Sequence, residues 1–281
     1  MKPYEWPQGK RCAITLSFDF DAETPYLWRT RGERPAALGE LELRRFGARQ
    51  GVYRILDLLD KWSIRATFFV PGWVAERYSE AVGEVARRGH EIGMHGYLHE
   101  RVDQLAEEEV EETVVKGKEA LQRVVGERSF GYRSPSWEMT HETFEALLRH
   151  DVSYDSSMMG YDHPYWVGDL PEIPVQWTLD DAPFFRYTGL GGDSAPRQPS
   201  EVMDMWEQEF EGMKRYGGLF MVTMHPWMSG RAGRMMALER LITRLKSDHD
   251  AWWATCEEIA EHHRGTYPHA FKEAPAPEIG A

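Results

Sequence analysis

Cysteine is scarce. Cys12 and Cys256 are the only two in 281 residues. They are too few and too far apart in sequence for a disulfide framework or a thiolate metal site, and both are expected as buried thiols. Positive charge is in the minority: 33 Lys+Arg stand against 46 Asp+Glu, a formal charge of −13. That balance excludes the basic surface that nucleic acid demands. No apolar run approaches the ~18–20 residues that span a bilayer. The opening MKPYEWPQGKR has no apolar stretch of the secretory kind. The expectation is a cytoplasmic protein with neither a nucleic-acid nor a membrane partner. At 42% hydrophobic and 28% charged the chain is ordinary globular material, and its length suits one large α/β domain. One excess stands out, 11 Trp within an aromatic content of 12%.

Short apolar runs alternate with longer amphipathic ones. CAITLSFDF (Cys12 to Phe20) reads as a buried strand ending in acids, RATFFV (Arg65 to Val70) as a second and HEIGMH (His90 to His95) as a third. EIPVQW (Glu172 to Trp177) and LFMVTMH (Leu219 to His225) read as late strands. Helices are expected through Val52, Ile55, Leu56 and Leu59, from about Val74 to Arg88 with Gly89 as punctuation, and through Met235, Leu238, Leu241, Ile242 and Leu245. Asp103, Thr140 and Ser200 look like N-caps. Strands alternating with helices imply a parallel sheet, and over this length a barrel-like closure. Two connections are long: an arginine-rich one from Thr24 to about Arg49, and an aromatic one from Gly160 to Gly192. The catalytic domain is expected over 1–270 and a mobile tail over 271–281.

Polar residues collect where these strands end, which in parallel α/β proteins is where function sits. The first strand finishes Asp19-Phe20-Asp21, the third delivers His95 with His99 one turn on, and a late one ends at His225-Pro226. Each feature has an ordinary explanation when taken singly. Histidines four apart are a common accident, Asp-x-Asp is often a solvated loop, and His-Pro is usually a turn. His90, His141, His150, His249 and the His262-His263 pair are read as surface residues. The conjunction points to a metal-plus-acid/base site. Two imidazoles and one carboxylate from Asp19 or Asp21 leave coordination positions open, the layout of a catalytic ion. The other carboxylate can take a proton from water, and His225 can protonate a leaving nitrogen.

Taken together, SFDFDAET, RATFFVPG, GHEIGMHGYLHE, GYRSPSWEMT and VTMHPWMSGR resemble the polysaccharide deacetylase family, the NodB-homology or carbohydrate esterase 4 group. The resemblance implies an α/β fold, a distorted (β/α) barrel of seven or eight strands, and one divalent ion, usually zinc. It implies hydrolysis of a non-peptide C–N bond, typically removal of acetyl from an N-acetylated sugar. By position, Asp19 resembles the catalytic base and Asp21, His95 and His99 the metal ligands. Arg133 resembles the arginine that orients the base, and His225 the general acid. Ser136, Trp137, Phe185, Asp180, Asp181 and Arg29 are the candidate substrate-binding residues, with Asp180 or Asp181 also supporting His225. Phe20 between the aspartates, and Ser136 where an aromatic is usual, resemble a branch that includes a peptidoglycan deacetylase homologue, allantoinase-like proteins and cyclic imide hydrolases. That branch implies a homo-tetramer.

Two enzymatic readings follow, with a sugar or a small molecule as partner. In the first, a metal-dependent deacetylase stacks sugar rings on Trp137, Trp166, Trp177 and Phe185. In the second, a hydrolase of small cyclic amides, imides or ureides folds the loop of Trp28, Arg29 and Arg31 over its pocket. A third, an inactive binding or scaffold member, sits poorly with the full set of candidate residues.

Overall fold

The strand Cys12–Asp19 (β1) is buried along its whole length and lies at the centre of the sheet. Its side chains alternate. Cys12, Ile14, Leu16 and Phe18 join the large core beneath the outer helices, while Ala13, Thr15, Ser17 and Asp19 face the other way. Thr67–Val70 (β2), Glu91–Met94 (β3) and Leu219–Met224 (β6) run parallel to it in the order β3-β2-β1-β6. Ala251–Trp253 (β7) pairs with the first half of β1, from Cys12 opposite Ala251 to Ile14 opposite Trp253. The Phe18 and Phe68 rings stack at 4.7 Å, and burial of each is worth about 2 kcal/mol.

The structure, a computed structural model, describes residues 4–31, 37–187 and 195–268. The tail expected over 271–281, Arg34 and residues 188–194 lie outside these. The antiparallel hairpin of Tyr165–Val167 (β4) and Leu170–Glu172 (β5) is the second, smaller sheet. Single parallel bridges extend the main sheet from both edges: Met94 to Tyr132, Tyr132 to Asp155, Asp155 to Glu172, and on the other side Thr223 to Asp180. The pairings therefore trace most of a ring, with residues 172–180 supplying both of its ends.

Several local expectations change. The strand expected at Glu172–Trp177 is regular only to Glu172; Pro174, without an N–H, cannot continue a ladder. The helix expected from Val74 to Arg88 is two, Gly72–Arg77 and Ser79–Arg87, broken where the Tyr78 hydroxyl reaches both oxygens of Glu23 at 2.9 Å. Asp103 caps nothing. It lies in a 3₁₀ turn and holds Arg101, and the long helix begins at Glu107 with Glu109 accepting the Ala106 N–H. Ser200 is inside its helix, which starts at Pro199. Thr140 does cap, accepting the Thr143 N–H. Both cysteines are free and buried. No helix among the described residues is long and apolar enough to cross a membrane.

From Leu38 on, the arginine-rich connection is helical. Leu38–Phe46 passes through a π-helical turn, Gly47–Gly51, into Val52–Lys61. The turn presses on the loop that follows β6. A Cβ on Gly51 would meet the Pro226 carbonyl at 2.2 Å, and one on Gly47 the Trp227 nitrogen at 2.8 Å. Glycine is required at both for this approach, which carries Arg44 onto the Trp227 ring.

Candidate functional site

β1 ends by pairing: the Phe20 N–H donates to the Phe69 carbonyl, so Asp19 still points into the barrel and Asp21 stands just past the rim. His95 follows β3 directly, and His99 follows in a turn that holds it at φ +61°. Ala22, Ser136 and Trp137 are also left-handed, at φ +47°, +59° and +57°. Such backbone costs non-glycine residues of order 1–3 kcal/mol each and collects at functional sites.

Asp21 Oδ1 lies 3.4 Å from His95 Nε2, and Oδ2 lies 3.7 Å from His99 Nε2 and 3.5 Å from His225 Nε2. The ligand atoms of Asp21, His95 and His99 all fall within 4.8 Å of one another. His95 Nδ1 sits 2.7 Å from the Arg133 carbonyl. That oxygen can only accept, so Nδ1 carries the hydrogen, and in the neutral ring Nε2 turns a lone pair toward Asp21. Asp21 Oδ1 is itself buried with no hydrogen-bond partner. Two acceptors facing each other in a dry site call for a cation between them. The charges of these groups act strongly on one another. Burial alone would raise Asp21, yet His99, His95 and His225 hold it well below the usual carboxylate range. Burial opposes charge on His95, but Asp19 and Asp21 outweigh it and raise its pKa, whereas burial pushes His99 down to about 4.

Arg133 is fully buried and its donors are all engaged. Nη1 donates to Asp19 Oδ1 at 2.8 Å, to Ser17 Oγ at 3.0 Å and to Thr223 Oγ1 at 3.3 Å. Nε donates to the Ser156 carbonyl and Nη2 to Ser156 Oγ, both at 3.0 Å. The guanidinium lies 4.1 Å from the Phe69 ring centroid. It therefore fixes the Asp19 carboxylate in place.

Of the two aspartates considered for His225, Asp181 is the partner. Its Oδ1 is 2.7 Å from His225 Nδ1, while Oδ2 accepts the His225 N–H at 3.0 Å and the Ser229 hydroxyl. Burial disfavours charge on His225, but Asp181, then Asp21 and Asp180, raise its pKa well above the ordinary value. Asp180 stands off at 3.7 Å, accepts the Ala182 N–H, and is pushed up to about 7 by burial and by its neighbour Asp181, against the pull of His225.

These groups open into a cavity of about 850 Å³. Asp19, Asp21, His95, His99, Ser136, Trp137, Asp180, His225 and Arg29 line it, so most sequence-derived candidates meet at one place. Trp137 and Trp177 pack ring to ring at 4.3 Å on one wall, and Trp177 stays about half exposed. Phe185 and Trp166 are corrections. Phe185 is buried in the core beneath Arg234, because its short helix turns the ring inward. Trp166 packs on His263 and donates to the Tyr267 carbonyl near the chain's end. The loop of Trp28, Arg29 and Arg31 divides: Arg29 faces this cavity, whereas Arg31 lies over the Trp28 ring and both line a separate groove. His90 and His263, expected at the surface, are buried. Arg44, Arg101, Arg186 and Trp227 also line the cavity and were missed. Trp227 adjoined the His225-Pro226 motif, and Arg44 fell four residues after Glu40 on one helix face, signals that a helical reading of the connection would have used.

Fold and site together define a parallel barrel protein with carboxylates, imidazoles and a buried arginine gathered at its strand ends. Comparison with known proteins narrows this. The family model described as polysaccharide deacetylase matches residues 46–154. A Mycobacterium smegmatis crystal structure assigned as a polysaccharide deacetylase superposes with a TM-score of 0.88 and 38% identity, covering 94% of each chain. A peptidoglycan deacetylase from Helicobacter pylori is 29% identical over 90% of this chain and 96% of its own. An allantoinase, Puue, shares the fold alone, with a TM-score of 0.82 and 22% identity over 96% of this chain and 95% of its own. The chain belongs to the polysaccharide deacetylase family, and its fold is the distorted (β/α) barrel of that family.

Proposed function

We propose that the chain is a metal-dependent hydrolase of non-peptide amide bonds, removing acetyl from an N-acetylated sugar, with one divalent ion held by Asp21, His95 and His99. The observation that carries this is the buried, unpartnered Asp21 Oδ1 facing the His95 Nε2 lone pair. One carboxylate and two imidazoles suit zinc and leave positions open. When bound, such an ion acidifies water and polarises a carbonyl oxygen.

The chain's own residues supply the rest. Asp19 Oδ1 is held by Arg133, and the carboxylate lines the cavity as the base that accepts the proton of the attacking water. His225, its Nδ1 held by Asp181, brings Nε2 to 3.5 Å from Asp21 Oδ2 and gives its proton to the departing nitrogen. Trp137 and Trp177 offer flat apolar faces to a sugar ring.

A second reading, hydrolysis of a small cyclic amide, imide or ureide, is supported by the helix Thr24–Thr30, whose Pro25, Tyr26, Arg29 and Thr30 wall the cavity from the side. The test compares acetate release from chito-oligosaccharides with ring-opening of succinimide and a hydantoin. Acetate release that a chelator abolishes and zinc restores is the expected result. Imide turnover without acetate release would replace the first reading by the second. Hydrolysis indifferent to chelation and to His95→Ala would overturn both.

A further inference from the structure

One wall of the cavity carries polar groups that the reaction leaves unused. Arg44 lines the cavity, yet its side chain is only 4% exposed. Among the described residues its one polar contact is Nε to Glu40 Oε2, at a long 3.4 Å. The guanidinium lies 4.7 Å from the Trp227 ring centroid, and both Nη groups make no hydrogen bond there. Trp227 also lines the cavity, and its indole N–H is buried with no partner. Buried donors without acceptors are costly, and a guanidinium whose terminal nitrogens are free is shaped for the two oxygens of a carboxylate.

The charges around this wall favour a monoanion. Arg29 lines the same cavity from its exposed rim and forms no ion pair among the described residues. Its positive charge and the negative charges of Glu40 and Asp21 all act on Arg44. With Asp21 committed to the reacting end of the cavity, two guanidiniums against the carboxylate of Glu40 leave one positive charge uncompensated. A carboxylate matches it, and a phosphate dianion exceeds it. Arg101, by contrast, is already neutralised by Asp103 through two hydrogen bonds of 2.8 and 2.7 Å.

We propose that Arg44, with Arg29 at the rim and the Trp227 indole N–H, forms a carboxylate subsite, so that the preferred substrate is an amide bearing a carboxylate beyond the scissile bond. This rests on reading Asp21, His95 and His99 as the reacting end of the cavity. It sets the substrate class apart from neutral sugars and neutral imides: the amide lies at the strand ends and the anion against the helix Leu38–Phe46.

The test uses the full chain as purified and a matched pair of probes, N-acetyl-β-alanine and its neutral amide, N-acetyl-β-alaninamide. Binding is measured by calorimetry and by tryptophan fluorescence, to which Trp227 contributes. The wild type is expected to bind the anion about tenfold or more tightly than the amide, the scale of one charge-assisted pair. Arg44→Met should erase that preference, and Arg29→Ala should reduce it. Because Arg44→Met strands Glu40, the double variant Glu40→Gln/Arg44→Met serves if the single one does not fold. A merely structural Arg44 would alter melting but not the ratio of the two affinities. Equal binding of the two probes by the wild type overturns the subsite. So does a preference that survives in the folded variant, since the carboxylate would then be reporting through the metal ligands. Neither readout needs turnover. A protein that prefers the anion but hydrolyses no amide keeps the subsite and loses the proposed reaction, and one that deacetylates neutral chito-oligosaccharides without anion preference does the reverse.

Discussion

Asp19 and Asp21 leave the same strand end two residues apart and meet opposite surroundings. Asp19 faces a guanidinium whose donors are all engaged, by Ser17, Thr223, Ser156, the Met221 sulfur and the Asp19 Oδ1 itself. Asp21 faces three imidazoles at 3.4, 3.5 and 3.7 Å, with its Oδ1 unpartnered. The first node is closed, so it holds geometry; the second is open, so it has capacity for a ligand. Burial is the same for both. Satisfaction of hydrogen bonds therefore separates a carboxylate fixed in place from one open to a ligand here, where burial does not.

The largest effect should come from the open side. His99→Ala is expected to lower hydrolysis on the order of 10³-fold or more by removing a proposed ion ligand. Unfolding of the chelator-treated variant should shift by no more than about 1 kcal/mol. His99 has no hydrogen bond to another residue's side chain to lose, and burial pushes its pKa down to about 4. Steady-state kinetics and urea denaturation measure the two quantities. Equal loss of stability and activity would break the contrast.

The closed side should respond the other way. Arg133→Met leaves the Asp19 carboxylate buried without its partner, and about 3–5 kcal/mol of folding stability should be lost along with activity. A variant that unfolds at the wild-type urea midpoint would show that the node is not closed in the sense argued.

A histidine outside the proposed ion site sharpens the comparison. His90 is buried and its Nδ1 accepts the Ala66 N–H at 3.2 Å, so folding requires the neutral ring; burial pushes its pKa down to about 4. The unfolded chain takes up this proton near pH 6.5, the folded one only near 4. Stability is therefore whole above about pH 6.5 and falls as the pH drops toward 4, by at most about 3 kcal/mol from this group. Urea midpoints measured across that window should slope less in His90→Phe. An unchanged slope would move the acid sensitivity elsewhere, to His263 or the site.

The strand ends were legible in the sequence because β1 alternates: once Ile14, Leu16 and Phe18 are assigned to the helix-facing side, Asp19 must face inward. His95 and His99 were legible from spacing and from Gly93 and Gly96 around them. What local pattern could not carry was direction across the ring. Phe185 and Trp166 are aromatic and sit near motifs, yet packing turned one into the core and the other toward the C-terminal helix. Asp180 and Asp181 were indistinguishable as neighbours in sequence, and only the backbone at the Thr223 bridge brings Asp181 to the imidazole. Arg44 was hidden for a related reason. It belonged to a connection read as a long loop, whereas from Leu38 on that connection is helical and two glycines let it press against Pro226 and Trp227.

The stretch from Glu172 to Asp180 touches Asp155 at one end and Thr223 at the other. It acts as a clasp between segments made early and late in the chain. Closing such a clasp brings together partners distant in sequence, which is slow compared with forming the helices on either side. Asp181 arrives beside His225 only when the clasp shuts. A refolding chain would thus regain its helical signal first and its acid–base chemistry last, and the interval between the two would time the final closure of the ring.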